Sequence, residues 1–178
     1  MQRLIKALDF AARRHRNQRR KDIEASPYVN HPISLANVLA NEAAVTDTEI
    51  LIAAILHDTI EDTETKAEEL TAQFGTEIAS IVMEVTDDKA LPKAERKQRQ
   101  IDHAPDLSKK AKAVKLADKI CNLRDIANSP PNDWALERRQ EYFDWAKQVV
   151  DGLRGKWPAL EEIFDRQMRE RPATGNRN

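Results

Sequence analysis

His57, Asp58, Glu61 and Asp62 come directly after the apolar run Ile50-Leu51-Ile52-Ala53-Ala54-Ile55-Leu56. A helix that is apolar on every side is a buried helix. A carboxylate carried inward on such a helix needs a cation beside it, because burying it alone costs several kcal/mol. If the helix continues to about residue 61, His57 and Glu61 share one stripe and Asp58 and Asp62 the adjacent one. The spacing therefore predicts one imidazole and three carboxylates gathered at a single place. Two arrangements satisfy those charges: a metal-dependent active site and a closed cluster of ion pairs.

Three further positions could complete such a site. In Asn30-His31-Pro32 the proline suits the first position of a helix, which puts His31 at or beside the N-cap. Asp118, Asn122 and Asp125 recur at helical spacing as a polar stripe on an otherwise apolar helix. A salt bridge from Asp118 to Lys115 or Lys119 accounts for its charge as well as a metal does. Taken together, His31, His57, Asp58 and Asp118 offer two imidazoles and two carboxylates. Mixed nitrogen and oxygen ligation suits Mn²⁺, Fe²⁺ or Zn²⁺ better than Ca²⁺, and a set without cysteine argues against a structural zinc site. Four protein ligands leave octahedral positions open, where a metal can activate water and polarise a phosphoryl oxygen. The basic segment Arg19-Arg20-Lys21 falls in a loop, and function concentrates on positioned loops. A substrate carrying phosphate would suit an acidic, cation-binding centre flanked by such a loop. His15, at the end of an apolar stripe, is read as a packed histidine rather than a ligand.

The elements that must position these groups are all helical. The chain has 178 residues, few glycines and few aromatics, and its hydrophobic periodicity is that of amphipathic helices. Helices are predicted over residues 2–15, 30–42 (buried stripe Ile33, Ala36, Ala40, Ala43), 49–61, 65–74, 76–86, from 92 onward, 107–128, 134–154 and 158–171. The segment Thr46-Asp47-Thr48-Glu49 reads as a capping box for the third of these, and Gly75 as a C-cap. The expectation is a single all-α domain over residues 1–171 and a disordered tail over residues 172–178. A net charge of −1 gives no sign of a nucleic-acid or membrane partner, and no obligate protein partner is evident. Cys121 is the only cysteine, so an intrachain disulfide is impossible and a cytoplasmic protein is expected.

The motifs, in order, carry a resemblance. Gln18-Arg19-Arg20-Lys21, Pro27-Tyr28-Val29-Asn30-His31-Pro32, His57-Asp58-Thr59-Ile60-Glu61-Asp62-Thr63, Glu84-Val85-Thr86-Asp87-Asp88-Lys89, Leu91-Pro92-Lys93 and residues 115–125 follow one another as in the hydrolase domain of RelA/SpoT-type enzymes. The sequence most resembles the small alarmone hydrolases among the HD-domain phosphohydrolases. That resemblance implies an HD-domain bundle of about eight to ten helices and one Mn²⁺ per chain. It implies removal of the 3′-pyrophosphate from (p)ppGpp to give GDP or GTP, with no synthetase activity. Its implied metal ligands are His31, His57, Asp58 and Asp118, and its implied catalytic acids are Glu61 and Asp62. Arg20, Lys21, Asn122, Arg124 and Tyr142 match substrate-contacting positions. One departure is Asp22-Ile23-Glu24, where the long bifunctional enzymes tend to carry Ser-Gly. Two alternatives remain: the same site acting on another phosphate ester, such as the NADPH 2′-phosphate or a nucleoside monophosphate, and a non-catalytic HD module that binds nucleotide or a partner protein.

Overall fold

A computed structural model of the chain describes residues 1–173. Among them lie ten α-helices: α1 (Gln2–Arg14), α2 (Asn30–Asn37), α3 (Thr48–Leu56), α4 (Thr59–Asp62), α5 (Ala67–Phe74), α6 (Thr76–Val85), α7 (Lys93–His103), α8 (Lys109–Asn128), α9 (Leu136–Asp151) and α10 (Pro158–Met168). Apart from one isolated bridge between Arg19 and Pro27, the described residues contain no β pairing. The predicted tail falls partly on residues 174–178, outside the described residues. No helix among the described residues is long and apolar enough to cross a membrane.

The centre of the molecule is α3, as its composition demands. Ile50 and the whole run from Ile52 to Leu56 are buried. Helices α1, α2, α6 and α8 pack around it, with α10 on the far side of α8 and α5 on α6. From α6, Ile78, Ile81, Val82 and Val85 point inward as their spacing predicts, and Leu116, Ile120 and Leu123 do so from α8. Trp145 on α9 donates from its indole nitrogen to the Lys97 carbonyl of α7 at 3.1 Å, tying the outer pair together.

Three local expectations are corrected. Ile33 is 46% exposed, and the inward face of α2 is carried by His31, Pro32 and Leu35. The helix then passes into a π-helical turn, Val38–Glu42, which rotates the stripe so that Val38 and Leu39 face the core. At α3 the cap is Asp47 alone, whose carboxylate accepts from the Glu49 amide at 2.9 Å; Thr46 takes no part. Finally, α3 stops at Leu56 instead of reaching residue 61, and α4 begins at Thr59.

Gly152 closes α9 where the chain passes very near the 3₁₀ turn Ala104–Asp106. A Cβ added there would lie 2.9 Å from the Ala104 Cβ and 3.0 Å from the Pro105 Cδ. Both neighbours are fixed, one by its size and one by its ring. Gly152→Ala should therefore destabilise the fold by about 1–3 kcal/mol, the usual cost of overpacking, read as a lower urea midpoint with an unchanged slope.

Candidate metal centre and substrate cleft

The break between α3 and α4 builds the site. The Thr59 hydroxyl donates to the Leu56 carbonyl at 2.7 Å, satisfying an acceptor that a continued helix would have used. His57 and Asp58 occupy the turn between, both with right-handed helical backbone angles, so Glu61 still follows His57 by one turn. His57 Nδ1 sits 2.8 Å from the Ala54 carbonyl oxygen, and only an N–H can make that contact. With that tautomer, Nε2 carries a lone pair. It is buried, makes no hydrogen bond, and lies 2.8 Å from Asp58 Oδ2. A lone pair that close to a carboxylate oxygen is repulsive unless a cation lies with them.

Two more side chains converge on the same point. The first turn of α2 brings His31 Nε2 to 3.3 Å from Asp118 Oδ1, and His57 Nε2 is 4.0 Å from that oxygen. One ligand atom each from His31, His57 and Asp118 lie within 4.8 Å of one another. The donor set and the orphaned imidazole nitrogen fit a divalent cation. Asp58 stands beside this trio, its Oδ2 accepting the Tyr28 hydroxyl.

The electrostatics agree. Burial alone would hold the His57 imidazole neutral, but Asp58 and Asp118 outweigh it and push its pKa up to about 9. Burial likewise opposes ionisation of Asp58, and the His57 imidazolium overrides it, holding the carboxyl far below its usual range. Without a metal, a proton on His57 takes the cation's place, so metal binding must displace it. Asp118 is also buried, yet Lys119 and the histidines keep it well below the ordinary carboxylate value. Its Oδ2 receives the Lys119 ammonium at 3.1 Å while Oδ1 faces the imidazoles. The salt bridge and the metal-facing geometry coexist, one on each oxygen. Lys115 instead donates to the Val85 carbonyl at 3.0 Å.

Glu61 lies one turn beyond His57 and lines the same chamber of about 160 Å³. Burial raises its pKa to about 7, opposed by the Asp87 amide donating to Oε2 at 3.0 Å and reinforced by the charges of Asp58 and Asp87. Asp62, next in sequence, looks the other way. It accepts from Gln18 Nε2 at 2.7 Å and pairs with the Lys89 ammonium. The chamber opens into a larger cleft of about 650 Å³, and Arg20, Tyr28, His31 and Asn122 belong to the walls of both. A still wider groove of about 970 Å³ along α1 and α5 touches the cleft only at Gln18 and Asp62, so size does not mark the chemistry here.

A family model described as HD domain matches residues 7–144. This chain belongs to the HD-domain family. Among its relatives are the guanosine-3′,5′-bis(diphosphate) 3′-pyrophosphohydrolases of Danio rerio and Homo sapiens. The Danio rerio protein is 54% identical over 94% of this chain and 93% of its own length. The Homo sapiens protein is 53% identical over 96% of each. A solved structure described as a metazoan ortholog of SpoT that hydrolyses ppGpp and plays a role in starvation responses superposes with a TM-score of 0.92. It is 48% identical, over 95% of each chain.

In this HD domain, Lys21, Asn122 and Tyr142 line the cleft, and Arg20 stands at its junction with the chamber, paired with Asp125 and 5.7 Å from the Tyr28 ring centre. Asn122 donates to Asp118 Oδ1 at 2.6 Å, so it also orients a candidate ligand. Arg124 is elsewhere. Its guanidinium grips Glu42 through two hydrogen bonds of 2.7 and 2.8 Å and reaches Gln167 at 3.3 Å, on the side of α8 away from the cleft. The reason is helical phase: two residues from Asn122, Arg124 faces some 200° around α8. His15 is 2% exposed and packs on the Tyr28 ring at 4.9 Å, in keeping with the packed reading. Tyr28, Gln18, Lys89 and Asp87 enter the site with no role assigned to them by spacing, because each comes from a loop whose direction is set by packing, whereas Asp125 belongs to the polar stripe of α8.

Proposed function

We propose that this HD domain hydrolyses guanosine 3′-pyrophosphates, ppGpp and pppGpp, to GDP and GTP plus pyrophosphate, with one Mn²⁺ per chain. The observation that carries this reading is the sharing of walls between the cation-ready chamber and the basic, aromatic cleft. A substrate bound there presents its phosphates to His31, His57, Asp58 and Asp118 while its nucleoside occupies the larger space. The cleft volume lies in the ordinary range for a small-molecule site. The relatives that carry this name match the chain over nearly its whole length.

His31, His57 and Asp118, with Asp58 as the fourth ligand, would hold the metal. A divalent cation there supplies Lewis-acid polarisation and makes water nucleophilic near neutral pH. The chain's own residues do the rest. Glu61, its carboxyl raised to about 7, takes the proton from the attacking water as that oxygen bonds to phosphorus. The bond from the ribose 3′-oxygen to phosphorus breaks, and Glu61 returns the proton it took to that oxygen, which leaves as the 3′-hydroxyl. Asp62, braced by Gln18 and Lys89, lines the cleft into which the chamber opens. Arg20 and Lys21 neutralise phosphate charge, and the planar Arg20 can also lie against the purine. Asn122 positions Asp118 and Tyr142 walls the nucleoside.

Incubation of the purified protein with Mn²⁺ and ppGpp, with products separated by anion exchange, should yield GDP and pyrophosphate in equal amounts. The same assay with Mg²⁺, Zn²⁺ or no added metal should be slower. Turnover of NADPH or a nucleoside monophosphate, with no pyrophosphate released from ppGpp, would replace this substrate with another.

A further inference from the structure

The histidine that looks merely packed is the end of a hydrogen-bonded line. His15 follows α1, and the chain turns at once, with the Gln18 amide donating to the His15 carbonyl at 2.9 Å. That turn folds the Gln18 side chain back over the imidazole. His15 Nδ1 lies 2.6 Å from Gln18 Oε1, and Gln18 Nε2 lies 2.7 Å from Asp62 Oδ2. Since Oε1 can only accept, His15 must carry its proton on Nδ1. Its Nε2 is buried with no partner, which leaves that nitrogen as the unprotonated one. Burial lowers the imidazole's pKa, the direction that keeps it neutral.

We propose that His15 is a positioning residue for the hydrolysis: by donating to Oε1 it anchors the Gln18 side chain, whose Nε2 holds the Asp62 carboxylate on the cleft wall next to the chamber. The carboxylate can only accept, so it takes the nitrogen end of the amide, and the His15 N–H holds the oxygen end. Without that donor the Gln18 side chain is free to leave Asp62 to Lys89 alone. The same imidazole packs against the Tyr28 ring, whose hydroxyl donates to Asp58. One buried side chain thus steadies both carboxylate neighbours of the reacting centre without touching substrate. The inference rests on the proposed reaction, but its structural half does not.

Two variants separate the roles of the ring. His15→Phe keeps the packing on Tyr28 and removes the donor; His15→Asn removes the ring and keeps an N–H close to the place of Nδ1. His15→Phe should lower kcat by about 10-fold or more with KM and bound metal within twofold, the scale typical of residues that orient a reacting group. His15→Asn should recover most of that loss. Gln18→Leu should match His15→Phe, and the double variant should be no worse than either, because both cut one line. Full kcat in His15→Phe, equal loss in His15→Phe and His15→Asn, or additive losses in the double variant would each overturn the assignment. A direct measurement needs no activity: the ¹⁵N spectrum of the protein loaded with diamagnetic Zn²⁺ should show a neutral His15 protonated on Nδ1. Protonation on Nε2 would end the proposal whatever the substrate. Failure of the wild-type protein to release pyrophosphate from ppGpp would instead end the proposed function and leave that tautomer readable.

Discussion

Asp118→Ala is expected to lower hydrolysis by about 10³-fold or more, the scale of loss when one member of a group that acts as a unit is removed. It should also leave the protein without bound divalent metal. The carboxylate has two tasks that a single substitution ends together. Oδ1 faces His31 and His57 and would complete the ligand set; Oδ2 is the partner of Lys119, a lysine only 3% exposed. An ammonium left in the core without its carboxylate costs about 3–5 kcal/mol. The Trp145 ring, 4.4 Å from the Lys119 Nζ, offsets part of it. Asp118→Ala should therefore unfold at markedly lower temperature than the wild type. Adding Lys119→Met should restore most of the stability while restoring neither metal nor turnover. Elemental analysis, calorimetry and the pyrophosphate assay on the single and double variants decide it. An Asp118→Ala protein that keeps its metal and its rate would remove Asp118 from the centre.

Glu61→Gln is expected to keep the metal and lose turnover by about two orders of magnitude, the usual share of a proton-transfer group. The wild-type rate should rise with pH and level off once Glu61 is ionised, since protonated Glu61 cannot accept a proton from water. A cation held beside it would complete that rise below the value of about 7 that burial sets in the metal-free chamber. The variant should lack that rise. Stability carries an independent sign. Burial raises the Glu61 pKa above its unfolded value, so the folded state holds the extra proton between about 4.5 and about 7. Glu61 is thus most favourable to folding at acid pH, and this contribution is lost as pH rises through about 7. In metal-free protein, Glu61→Gln should raise the unfolding temperature at pH 8 and change it little at pH 5. Loss of metal along with rate would make Glu61 a ligand, and an unchanged pH profile would pass the proton work to another group.

Much of this was legible from the residues. The apolar run of α3 had to be central, because no face of it can meet water. His57 and Asp58 at its end had to find a cation, because the interior does not tolerate a lone carboxylate. The polar stripe of α8 marked Asp118 and Asn122 as facing something other than core, and the ordered motifs narrowed that to a phosphohydrolase. What the spacing did not hold was direction. The helix is interrupted at His57 and Asp58, where the Thr59 hydroxyl takes the Leu56 carbonyl, and packing against α2 and α8 decides which groups these ligands meet. The inward face of α2 is carried by His31, Pro32 and Leu35 instead of the expected alanine stripe, the π-turn after it adds Val38 and Leu39, and packing sets His31 beside Asp118 across 87 residues. Arg124 shares a motif with Asn122 but not a face, and Glu42 claims it.

The acidic pair makes the division clearest. In sequence, Glu61 and Asp62 are adjacent carboxylates with nothing to rank them. Only packing gives Glu61 a half-buried place on the chamber wall and an amide donor, and gives Asp62 a glutamine and a lysine. Which atoms lie near a chain segment follows from covalent order, and the sequence by itself determined the kinds of group that must meet. Which of them share one chamber depends on contacts between residues far apart in the chain, and only the tertiary structure decided that Glu61 lines the chamber while Asp62 is paired outside it.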